Sequence, residues 1–198
     1  MRLAAGAAAA LLSLALCAGV PAAEAPPGTI LDSPTVTTTK ADLLDKLFAD
    51  LQKEKSDFMA KSIEASIWDL WMQSGDPQVD KLMTYTLGAM SARSFDLAVD
   101  YLDTIVKLKP DYAEGWNKRA TVWWLMQEYG KSIADIERTL ALEPRHFGAL
   151  SGLGMIMQSM GQKQKAVAAF KRALDVDPHL DGVRDAVDTL EKELGKDI

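Results

Sequence analysis

His146 and His179 are the only two histidines in the chain, and each stands in a turn beside a proline, Pro144 and Pro178. A metal centre needs several donors converging on one point. Neither histidine has a second one three or four residues away, and no cysteine lies near, so the expectation is two exposed turn histidines and no metal. Gly148, Gly152 and Gly154 invite a phosphate-loop reading, but they lack a preceding strand, the G-x-G-x-x-G spacing and a G-K-[ST] ending. They lie within a helical pattern, where close helix packing is the expected role. No Ser/His/Asp set and no paired-carboxylate motif has a recognisable spacing, and Asp and Glu scatter over helix surfaces. No catalytic residue and no cofactor is expected. The formal charge is −6, with no clustered basic face, which argues against nucleic acid.

The residues that remain must be positioned by a repeat. Pro110, Pro144 and Pro178 stand at equal intervals, and a fixed period of this length marks stacked supersecondary units. Units 79–112, 113–146 and 147–180 align from Val79, Ala113 and Phe147. The fourth position is Leu82, Trp116 and Leu150; the eighth is Thr86, Ala120 and Gly154; the twentieth is Ala98, Ser132 and Ala166. The twenty-fourth is Leu102, Ile136 and Phe170, and the twenty-eighth is Val106, Leu140 and Leu174. Small residues at positions eight and twenty let two helices approach closely. Proline at thirty-two cannot continue a helix and fixes the end of each unit. Gly161 supplies a tight turn between the two helices of the third unit.

These positions resemble the tetratricopeptide repeat, over about half the chain. The resemblance implies an all-α, right-handed superhelical solenoid of antiparallel helix pairs, and a role in binding a protein or peptide in the groove of the first helices. On that basis the groove would present Met83, Leu87, Met90, Asn117, Thr121, Trp124, Leu125, Ser151, Met155 and Gln158. Trp116 and Trp123 fall on inward positions and are expected in the core. Trp124 falls on a position that faces the groove in this family, and ligand contact and core packing both remain open for it. The groove-side methionines Met83, Met90 and Met155 are open to the same two readings, since a polarisable thioether suits both an adaptable binding surface and a core gap. Met157 and Met160 are expected to fill the core. Some members of the family clamp a C-terminal carboxylate with Lys and Asn residues spread over several first helices. Met83, Leu87, Ser151 and Met155 hold the equivalent positions beside Asn117 and Thr121, so that clamp is not matched. Lys118 and Arg119 read as a solvated charged pair.

The flanks complete the organisation. Residues 1–23 carry one basic residue, an apolar run and small residues, the order of a secretory signal peptide. Cys17, the only cysteine, lies inside it, with a lipid anchor as a minority reading. Residues 24–40 read as a disordered linker rich in Pro and Thr. Residues 41–78 hold two helical patterns, expected as a diverged hairpin that caps the first repeat. Residues 181–198 read as a capping helix with one apolar face, from Val183 to Leu194, of the kind a helix stack needs at its end. The expected protein is a bacterial exported adaptor, periplasmic or secreted, with no enzyme activity. The alternatives are a self-assembling solenoid or a non-catalytic frame within an enzyme complex.

Overall fold

A computed structural model describes residues 38–196; the signal, linker and Cys17 readings lie almost wholly outside them. The described residues form α1 (Lys40–Leu51), α2 (Asp57–Met72), α3 (Pro77–Ser91), α4 (Phe95–Leu108), α5 (Ala113–Leu125), α6 (Tyr129–Leu142), α7 (Phe147–Ser159), α8 (Lys163–Val176) and α9 (Asp181–Leu194). The architecture is an all-α solenoid: α3–α4, α5–α6 and α7–α8 are the tight antiparallel pairs, and α9 closes the stack on α8.

The first three helices carry their own start signals. Thr39 and Asp42 exchange hydrogen bonds in a capping box, Ser56 caps α2, and Asp76 caps α3 with Pro77 at the first helical position. Helices α4, α5, α6, α8 and α9 have no side-chain cap, so their stability rests on the packing of an apolar face.

Each pair turns through the same device. The N–H groups of Ser94, Glu128 and Gln162 reach back five residues to the carbonyls of Ala89, Trp123 and Met157. This is the Schellman closure, and it puts the preceding residue in the left-handed region. Gly161 sits there with φ +71°, and so do its equivalents in the two earlier repeats, Arg93 (φ 56°) and Gln127 (φ 63°). The two non-glycine residues accept a conformation that costs an L-residue about 1–2 kcal/mol because both ends of the turn are already packed.

The N-terminal hairpin departs from the expectation. The body of α2 is laid on α5 and on the start of α7, rather than capping α3. The indole of Trp68 contacts His146 and Phe147, and a Cβ on Gly148 would fall 2.6 Å from it. Lys61 Nζ donates to the His179 carbonyl, and the Tyr112 hydroxyl donates to the Met72 carbonyl. Helix α1 packs outside α2; its Arg145–Asp45 ion pair and the Gln52 bonds to the Asp175 and Val176 carbonyls tie it to the same edge. The hairpin is thus a strap along the proline-containing turns of all three repeats. The reason is apolar demand: Leu44, Phe48, Leu51, Ile67 and Trp71 need a shared cover, and Phe147 on the third repeat provides it.

Candidate functional site

The strap changes the identity of several singled-out residues. His146 is wholly buried, against the expectation of an exposed turn. Its Nδ1 accepts from the Ala149 N–H at 3.1 Å and so caps α7. An acceptor Nδ1 carries no proton, so Nε2 does, and it donates to Glu114 Oε2 at 2.9 Å. Trp71 stacks on the imidazole with ring centres 4.0 Å apart and planes 10° from parallel. His179 is also mostly covered, its ring near Asp57 of α2.

Glu114 is the hub beneath. Its side chain is fully buried, with Lys118 Nζ 2.7 Å from Oε1 and the Asn117 amide donating to Oε2 at 3.0 Å. Lys118 and Glu114 form a close ion pair, four residues apart on α5. Burial pushes the Glu114 carboxyl up; the His146 hydrogen bond and the Lys118 ammonium outweigh it and leave the group below the usual range. Lys118 also stands over the Trp68 ring at 5.2 Å. Arg119 bridges Asp103 on α4 and Asp135 on α6, 2.7 Å from each. The pair expected to be solvated is therefore internal: Lys118 is spent on Glu114 and Arg119 on the α4–α5–α6 junction. The partners lie within the repeats, Glu114 four residues before Lys118 and Asp103 and Asp135 on the helices flanking α5; what spacing could not show is that Trp68 of the upstream α2 lies over Lys118.

The expected groove residues divide. Met83 is 2% exposed, inside the cluster that joins α3, α4 and α5, and Met90 packs against that cluster. Asn117 is buried and engaged with Glu114. Leu87, Leu125 and Gln158 are exposed, and Thr121, Trp124 and Ser151 are half-buried. Trp116 and Trp123 are half-buried too: Trp116 donates to the Pro110 carbonyl beneath Arg119, and Trp123 lies under Lys131. Met157 packs on the α8–α9 cluster, whereas Met160 is exposed, against the expectation of a core role.

Two open clefts remain on this face. The first, about 140 Å³, lies between α5, α6 and α7, with Thr121, Trp124, Gly152 and Met155 at its sides and Ile136 and Ile156 below. The second, about 510 Å³, lies between α7 and α9 with Lys61 of α2 as a wall and Phe170 below. Met155, 42% exposed, borders both. Trp124 packs on the Ala120–Ile136–Ala149–Ile156 cluster with one side and lines the first cleft with the other. Among the described residues no cluster of His, Cys, Asp and Glu could hold a metal, and no helix is long and apolar enough to cross a membrane.

Comparison with known proteins places this geometry. A sequence profile described as "Tetratricopeptide repeat" matches residues 148–180. The chain is 37% identical to a TPR repeat-containing protein of Rhizobium etli, across 88% of this chain and 85% of that one. Among solved structures it resembles the first TPR of Spaghetti (RPAP3) bound to HSP90 peptide SRMEEVD, with a TM-score of 0.58 at 16% identity over 61% of this chain and 96% of the other. It also resembles MamA, with a TM-score of 0.56 at 18% identity over 79% of this chain and 83% of the other. The fixed proline period, the thrice-repeated turn and the extent of the Rhizobium match lead to one conclusion: the chain belongs to the tetratricopeptide-repeat family.

Proposed function

We propose that this protein is an exported, non-catalytic adaptor that holds a segment of a partner protein on the open face of α5, α7 and α9. The observation that carries the reading is the pair of adjoining apolar clefts that meet at Met155. An apolar surface of this kind, left uncovered, is a liability unless something binds it. A neighbour of the same fold was solved with a peptide bound, which supports the general mode. In Trp124→Ala, capture of the partner from the native host by crosslinking should weaken by about 1–3 kcal/mol, the range of an interface anchor. Because only one side of this indole packs in the core, the variant should lose well under the about 3–5 kcal/mol of stability that truncating a fully buried Trp costs. Circular dichroism melting beside the capture assay separates the two; undiminished capture would remove Trp124 from the site.

Export rests on residues 1–23, with their apolar run and small-residue exit. A periplasmic location is the simplest reading for a bacterial protein so equipped, with no cysteine after Cys17. The protein isolated from its native host should lack its first ~22 residues. Intact-mass measurement decides this: a full-length mass would end the export reading, and a lipid-modified Cys17 at the new terminus would replace it with a membrane anchor.

A further inference from the structure

The chain already contains a helix laid across its own repeats. On α2, Lys61 meets the turn before α9 by donating to the His179 carbonyl, and Trp68, seven residues on, packs at the turn before α7 on His146 and Phe147. Seven residues of helix rise about 10.5 Å, and packed helices lie about 8–10 Å apart. Between the turns of the third and second repeats α2 therefore advances by one heptad. The two clefts flank α7 on either side, so they are separated by about one such spacing. In an extended strand, side chains on one face recur about 6.8 Å apart, and the next on that face at twice that distance, so neither interval fits.

The trench carries almost no net charge. The first cleft has no charged lining residue, and the second has one of each sign, Lys61 and Asp181. Lys61 is itself paired with Glu64 and bonded to the His179 carbonyl, and Lys118, on α5, is committed to Glu114 and Trp68. Phe58, one helical turn before Lys61 on α2, is 83% exposed.

We infer that the occupant is an amphipathic helix of a partner protein, neutral on its binding face, lying beside α2 with two apolar side chains seven residues apart in the two clefts. This rests on the open-face reading above and specifies its ligand. It sets the ligand apart from an acidic peptide tail, for which the trench offers no free cation, and from an extended segment.

The test uses the full-length protein and labelled, net-neutral helical peptides of about 18 residues, read by fluorescence anisotropy. One carries leucines at i and i+7 and its isomer carries them at i and i+5, about 140° out of register. The heptad peptide should bind at least about tenfold more tightly than the isomer. Gly152→Leu should abolish that preference while melting at or above wild type, because a Cβ there meets only Ile136 Cδ1, at 3.9 Å. Met155→Lys, at an exposed position shared by both clefts, provides a second block independent of packing. Equal binding of the two isomers, no binding of the heptad peptide at millimolar concentration, or indifference to both substitutions overturns the inference. So does a preference for an acidic peptide with a free carboxylate or for a proline-rich extended one, and so does self-association that Gly152→Leu removes. Should these tests fail while partner capture still depends on Trp124, the adaptor reading stands and the helical ligand falls; capture indifferent to Trp124 removes the adaptor site itself.

Discussion

Gly154→Leu is expected to destabilise the protein by more than about 3 kcal/mol, at or beyond the upper end for an overpacked core. A Cβ at this position would lie 2.3 Å from Cδ1 and 2.4 Å from Cε1 of Phe170. That ring is 2% exposed and packed in one cluster with Val167, Val187 and Leu190, so any shift to admit leucine breaks those contacts. Even Gly154→Ala should be a net loss, although alanine is the better helix former by about 1 kcal/mol. In thermal melts of a chain this size each kcal/mol corresponds to about 2–4 °C, so the leucine variant should melt roughly 6–12 °C or more below wild type. The second repeat shows the compensation: Ala120 there faces Ile136, where the third repeat has Gly154 and Phe170. Transplanting that pair, Gly154→Ala with Phe170→Ile, should recover much of the loss of Gly154→Ala alone, a coupling that adjacent core residues typically show. A leucine variant that melts with wild type would mean that the face of α7 toward α8 has been misassigned.

That position was legible in the sequence because the constraint is internal to one repeat. The small residues at positions eight and twenty, the large one at twenty-four and the closing proline all answer to helices within a single unit, so the period exposes them. The turn was legible at Gly161 and hidden at Arg93 and Gln127, where packing holds ordinary residues in the left-handed region and removes the glycine signal. Of the expected groove residues, Thr121, Trp124 and Met155 do line an open cleft and Met83 takes the core reading left open for it, whereas Asn117 is buried and His146, Lys118 and Arg119 are covered or paired rather than solvated. Periodicity tells which residues share a face of a helix; it does not tell what covers that face. Glu114, at the second position of its unit, gave no sign of being a hub. Its partners come from its own next turn, from the end of its own unit and, through Trp71, from a strap upstream of all three repeats. A charged residue flanked by Trp116, Asn117 and Lys118, with a histidine closing the same unit, is a signal that only the fold can join up.

The Glu114 hub carries the second large effect. Glu114→Ala leaves the His146 Nε2–H and the Asn117 amide buried without their acceptor. Removing one partner of a buried pair typically costs about 3–5 kcal/mol. Lys118 is 19% exposed and can turn toward water, so about 2–4 kcal/mol is expected here. The loss should be felt at the strap, because Trp71 stacks on the imidazole that Glu114 holds in place. Tryptophan emission should therefore shift before global unfolding in this variant. The pH dependence has a definite sign. The folded Glu114 carboxyl lies below its ordinary value, so its contribution is complete above about pH 4.3, the unfolded value, and is lost as pH falls through the depressed folded value. The stability gap between wild type and Glu114→Ala, measured by denaturant melts, should be widest near neutrality and should narrow in acid. A gap that stays constant from neutral pH through pH 3 would show that the carboxylate acts through its bulk alone and that the hub is not electrostatic.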